Sequence, residues 1–194
     1  RLAKKVLPIS LPYEFNITIQ AKSLLEISRT FADSDTVNVA ISDKKAQFFT
    51  DKVMIQTRLI EGNYPDTSRF VPARFDYELV TGKRDLEAAI SRSSFIKSEN
   101  DQYAILKMTM NSEEVILSSR TQEIGSLTEN ISFDSYEGEP LELSFSSKYV
   151  AEALNGLDGD KVRIRFSGSM KPFVLTGEGD DTVLQLVLPV RAFN

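Results

Sequence analysis

Residues 141–157 read LELSFSSKYVAEALNGL, and this stretch decides the fold. Leu141, Leu143 and Phe145 alternate with polar residues, the period of a half-buried strand; Val150, Ala153, Leu154 and Leu157 then follow at helical spacing. Ser146 and Ser147 stand where the period changes and can cap the helix. The stretch therefore predicts a strand that runs directly into a helix. Residues 15–31, FNITIQAKSLLEISRTF, make the same switch: Phe15, Ile17 and Ile19 alternate, and Ala21, Leu24, Leu25 and Phe31 take up helical spacing.

Superposing Lys22 on Lys148 carries the match further along the chain. Each helix is followed by an acidic turn, with Asp33 and Asp35 in one copy and Asp158 and Asp160 in the other. Alternating strands come next: Val37 and Val39 match Val162 and Ile164, residues 47–49 match 172–174, and residues 53–59 match 183–190. Elements recurring in one order indicate internal duplication of an α+β unit. The second copy has more in front of it. Residues 75–79 read as a strand, 82–96 as a helix with Leu86, Ala89, Ile90 and Ile96 on one face, and 103–109, 113–120 and 125–134 as three strands. A complete unit is thus expected over 73–194. Residues 1–72 are expected to hold the later part of another, without its opening strand, helix and hairpin.

Composition narrows the function. The 194 residues are 41% hydrophobic and 26% charged, the range of an ordinary globular protein. There is no Cys and no His, which removes disulfides, thiolate zinc sites and every nucleophile that depends on an imidazole. The lack of Cys is compatible with a reducing cytoplasm. A net charge of −5 argues against gripping nucleic acid by general attraction, which needs a basic surface. The Gly177 to Asp181 run, GEGDD, suits a hairpin turn better than a cation site, and Gly168-Ser-Met170 lacks the ending of a phosphate loop. No catalytic group, metal site or cofactor is expected.

Several segments carry a family resemblance: residues 58–66 (RLIEGNYPD), the opening RLA at 1–3, residues 141–157, and residues 186–191 (LVLPVR). Together they resemble the bacterial DNA sliding clamp, the beta subunit of the replicative DNA polymerase III, over essentially the whole chain. The resemblance implies a DNA-clamp fold: repeated domains with two helices on the inner face and antiparallel sheets outside. On that pattern residues 1–72 are the later part of the second clamp domain and 73–194 the third. It implies a non-enzymatic processivity factor of the cytoplasm, working at replication forks, in which two subunits join head to tail into a ring around double-stranded DNA. The ring would tether the replicative polymerase, the clamp loader and repair proteins through short linear motifs.

Two sets of residues follow. The expected helices carry Lys22, Arg29, Lys83, Arg84, Arg92 and Lys148 against Glu26, Asp85, Glu87 and Glu152, a positive balance within an acidic chain. These are the candidate DNA-facing residues, where weak attraction would permit sliding; ordinary solvated helix charges give the same pattern. The family's partner-peptide groove maps onto Arg1, Leu2, Pro65, Arg69, Phe70, Tyr149, Met170, Pro172, Leu186, Leu188, Pro189, Val190 and Arg191. Aliphatic and Met surfaces suit varied hydrophobic anchors, and Arg can hold a carbonyl or carboxylate. By residue type alone Leu186, Leu188 and Val190 are also what an alternating strand supplies. Two other readings remain open: a peptide-binding adaptor domain that forms no ring and does not touch DNA, and an enzyme using a metal with carboxylates.

Overall fold

The computed structural model describes residues 1–97 and 102–191. The chain divides into two compact units, Ile9–Asp66 and a larger one formed by Arg1–Pro8 together with Thr67–Asn194. In chain order the first strand, β1 (Leu2–Lys5), belongs to the larger unit.

The smaller unit holds helix α1 (Ala21–Thr30) and an antiparallel meander of β2 (Asn38–Ile41), β3 (Lys45–Phe49) and β4 (Met54–Arg58). Phe48 sits between Val39 and Ile55, and the Gln47 amide donates across the ladder to Gln56 at 3.0 Å. The strand expected over 15–19 does not form. That segment accepts one cross-link, from the Ile60 N–H to the Thr18 carbonyl at 2.8 Å, and a single hydrogen bond is not a ladder.

The larger unit runs β5 (Tyr77–Gly82), α2 (Lys83–Ser93), β6 (Ile105–Met110), β7 (Val115–Thr121), β8 (Gly125–Asn130), β9 (Phe133–Glu137), β10 (Leu141–Ser146), α3 (Ser147–Asn155), β11 (Lys161–Phe166), β12 (Phe173–Gly177) and β13 (Asp180–Val187). Its strands make two antiparallel sheets, β1-β13-β12-β11-β5-β9 and β10-β6-β7-β8. The strand entering each helix pairs with the strand leaving the other: β5 lies beside β11, and β10 beside β6. The two halves of the unit are therefore interlocked, each lending its first strand to the other's sheet.

Both strand-to-helix switches occur without an intervening residue, at Gly82/Lys83 and at Ser146/Ser147. Neither Ser makes the expected cap: the Ser146 hydroxyl is buried without a hydrogen bond among the described residues, and Ser147 is already helical. The 125–134 strand is two strands. At Ile131 the chain leaves β7, with a last bond from the Ile131 N–H to the Val115 carbonyl at 2.8 Å; the Thr81 hydroxyl then takes the Ser132 carbonyl at 2.7 Å, and β9 continues on the other sheet. Gly179 closes the expected β12–β13 hairpin with φ +77°, a conformation L side chains rarely adopt.

Helix α2 buries Leu86, Ala89, Ile90 and Ser93, and α3 buries Ser147, Val150, Ala153 and Leu154. The two helices lie side by side. Helix α2 meets β5 and β11 of one sheet and β7 and β8 of the other, while α3 meets β13 and β10. Between helices and sheets one core forms, with Phe145, Phe166 and Phe173 in contact at 5.4 to 6.1 Å between ring centroids. Burying each such Leu, Ile or Phe side chain stabilises the fold by roughly 1.5–3 kcal/mol.

Candidate functional site

The basic helix residues separate by what holds them. On α1, Arg29 pairs with Glu26 at 3.0 Å, whereas Lys22 has no carboxylate partner among the described residues. On α2, Lys83 is mostly buried and donates to the Leu157 carbonyl at 2.6 Å, so its charge sits at the exit of α3. Arg92 clasps both carboxylate oxygens of Glu129 on β8, at 3.0 and 3.2 Å from Nε, and this hydrogen bond raises its already high pKa. Arg84 has no carboxylate partner among the described residues. On α3, Lys148 stands 4.0 Å from Glu152 and 5.3 Å above the ring of Tyr103. Lys22, Arg84 and Lys148 are thus the cations best able to meet an external anion.

The candidate groove residues of the larger unit form two groups and a flank. Leu2 on β1 lies opposite Leu186 on β13, and Leu186 is buried. Close by in sequence, Arg1 lies over the ring of Tyr149 at 4.9 Å and is ion-paired with Glu152. Tyr149 in turn lies against Tyr103 with ring centroids 5.6 Å apart and the rings tilted by 43°, and the Tyr103 phenol is held above its usual range first by a hydrogen bond with Tyr149. The second group is Arg69, Phe70 and Pro172, which line a cavity of about 440 Å³ with Pro72, Ala73, Arg74, Asp76, Ser167 and Lys171.

Exposed apolar surface flanks these groups: Phe70 is 56% exposed, Met170 53% and Leu188 50%. Pro189, Val190 and Arg191 follow β13, and the Val190 N–H is fixed to the Ser144 carbonyl at 2.8 Å. Pro65 lies exposed in the smaller unit. Sequence reasoning missed Tyr103 and Glu152, which hold Tyr149 and Arg1, and also Arg74 and Lys171 on the cavity wall. No spacing pattern marks them; they are assembled only by the fold.

Among the described residues no group of acidic side chains is placed to hold a metal ion, and no helix is long and apolar enough to cross a membrane. The Gly177 to Asp181 run spans the β12–β13 hairpin, with its turn at Glu178 and Gly179, and Asp180 accepts from the N–H and hydroxyl of Thr182 at 2.8 and 2.6 Å. Those bonds lower the Asp180 pKa.

Known proteins share this fold. The family described as DNA polymerase III beta subunit, C-terminal domain, matches residues 68–191, and the one described as its central domain matches residues 1–66. The beta sliding clamp of Bacillus subtilis is 34% identical over 196 aligned residues, covering 100% of this chain and 52% of the relative. That of a Staphylococcus epidermidis strain is 36% identical over 179, covering 92% and 47%. A crystal structure of the Bacillus subtilis clamp superposes with a TM-score of 0.90 at 34% identity, over 96% of this chain and 49% of that one. The DNA polymerase III beta chain of Streptococcus pneumoniae gives a TM-score of 0.92 at 30% identity, over 98% and 51%. The chain spans about half the length of the relatives it matches.

Proposed function

The chain belongs to the DNA polymerase III beta subunit family, the bacterial sliding clamps, and from that premise we propose that it acts within a ring that encircles duplex DNA and tethers partner proteins to it. The family's members are accessory subunits without catalytic activity of their own. In this reading residues 1–72 are the later part of the second clamp domain and 73–194 the third, and the protein works in the cytoplasm at replication forks.

The observation that carries the reading is the placement of α2 and α3 side by side across both sheets, with Arg84 and Lys148 exposed on them. Two helices so placed can face a phosphate backbone while the sheets face away. Topology then retains the ring and electrostatics need only be weak, which suits a protein of net charge −5. Head-to-tail closure has a ready edge. Strand β13 ends its half-sheet and takes up β1, whereas β8, its counterpart in the other half, has no further strand among the described residues. A strand from a neighbouring subunit can extend the sheet there.

Replication and repair partners bind, in this reading, through linear peptides that lay apolar side chains on the exposed Phe70, Met170 and Leu188, with the buried Leu186 supporting the wall beneath. The test uses a full-length clamp containing this chain. Reversing Lys22, Arg84 and Lys148 to Glu should weaken loading on circular DNA, more at low salt than at high; unchanged loading across salt concentrations would count against the DNA-facing assignment. Met170→Asp with Leu188→Asp should abolish capture of a partner peptide while the ring stays intact.

A further inference from the structure

With no Cys in the chain, its sulfur resides in four methionines, Met54, Met108, Met110 and Met170. Their settings divide them into two pairs. Met108 and Met110 lie on β6 within the core, at 2% and 0% exposure, whereas Met54 on β4 is 62% exposed and Met170 53%. Met170 stands in the turn between β11 and β12, which the Lys171 N–H closes on the Gly168 carbonyl at 3.3 Å. Both ends of that turn are anchored: the Ser167 hydroxyl donates to the Arg74 carbonyl, and Phe173 is buried in the core. The backbone is therefore held while the thioether faces solvent. Of the two exposed thioethers, Met170 alone belongs to the candidate groove, together with the exposed Phe70 and Leu188.

We propose that Met170 is an oxidative modification site: hydrogen peroxide converts its thioether to the sulfoxide, and the sulfoxide weakens the hold on a partner peptide. The inference rests on the partner-groove reading and adds regulation to that site. In the step, the Sδ lone pair attacks one peroxide oxygen, the O–O bond breaks, an S–O bond forms, and the departing oxygen leaves with the proton as water. Sulfur gives up two electrons and the peroxide takes them. Before the step, a flexible and polarizable side chain adapts to an apolar anchor. After it, a polar oxygen is stripped of water by an anchor that offers no donor in return, and binding weakens. The core is spared because Met108 and Met110 are shielded from the oxidant. A dithiol-dependent sulfoxide reductase reverses the change: two thiols become a disulfide, and the oxygen leaves as water.

The experiment treats the 194-residue chain briefly with hydrogen peroxide, removes the oxidant, and locates added oxygen by mass spectrometry of proteolytic fragments. Binding is then measured to a sulfur-free synthetic peptide carrying a leucine–phenylalanine anchor. Met54 and Met170 should gain oxygen well ahead of Met108 and Met110, and the treated chain should bind about tenfold more weakly. Incubation with methionine sulfoxide reductase and dithiothreitol should restore the affinity, which damage to the fold would not allow. Whatever its own affinity, Met170→Leu should bind equally before and after peroxide, while Met54→Leu should stay as sensitive as the unaltered chain. Three outcomes overturn the proposal and leave the groove standing: no oxidation at Met170, unchanged binding once it is oxidised, or a Met170→Leu chain that loses affinity on treatment. If the untreated chain captures no peptide, the groove reading fails and the proposal falls with it.

Discussion

The two copies of the strand-to-helix pattern come to different ends. In the larger unit, Leu141, Leu143 and Phe145 sit on β10 with β6 hydrogen-bonded along the full strand, and Val150 on α3 is 1% exposed. In the smaller unit the matching residues 15–19 form no strand, and Leu24, the counterpart of Val150, is 44% exposed. Helix α3 has α2, β10 and β13 beside it, whereas α1 has no second helix in its unit among the described residues and buries Ile27 alone. Periodicity states which face wants to be covered; only a neighbouring element covers it.

The largest expected difference between the regions follows from this. Phe145→Ala removes a fully buried ring and should destabilise the larger unit by about 3–5 kcal/mol. Leu24→Ala should shift stability by less than about 0.5 kcal/mol. Hydrogen exchange read separately on β10 and on α1 makes the comparison unit by unit, and similar losses at the two sites would break it. On the same footing, amides of the fully buried β12 should exchange slowest and those of β2, exposed at every residue, orders of magnitude faster.

A smaller contrast lies among the cations. Lys83→Gln loses a hydrogen bond to a carbonyl in a mostly buried setting and should cost about 1 kcal/mol. Lys22→Gln and Arg84→Gln should leave chemical denaturation unchanged, their effect appearing only in DNA contact. If Lys83→Gln proves silent, the division between structural and outward-facing cations does not hold.

Tyrosine titration gives the subtlest test. Tyr136 donates to the Glu139 carbonyl at 2.6 Å, and burial, with smaller contributions from Tyr77 and Glu139, pushes its pKa up to about 12. Its folded pKa lies above the ordinary 10.0, so the stability it contributes is complete below pH 10 and is lost as pH rises toward 12. Ultraviolet difference spectra should show the Tyr136 phenol ionising near pH 12, and Tyr136→Phe should remove that step.

The elements were legible in the sequence because apolar residues recur at clear periods: α1, α2 and α3 start within a residue of where spacing places them. The duplication was legible too. What the chain could not announce was pairing across distance. The exchange of β5 and β10 between halves depends on which edges meet, and the corner at Ile131 depends on a hydroxyl of Thr81 far away in sequence. The candidate groove was legible only through resemblance, since Leu186 and Leu188 look like any strand residues. Arg74 and Lys171 carry no periodic signature at all. Nor could the sequence say that Arg92 would be clasped by Glu129, since that pairing arises where α2 passes over β8.

Two junctions have mechanical weight. Where Gly82 hands over to Lys83 and Ser146 to Ser147, strand becomes helix with no slack between. A joint with no spare link cannot swivel. Because each incoming strand is also stitched into the opposite half's sheet, turning either helix would drag a ladder of hydrogen bonds out of register. The gap between the side chains on those helices is therefore set as firmly as the teeth of a zip, and a single glycine inserted at either junction should loosen the gauge and displace the buried side chains that follow it.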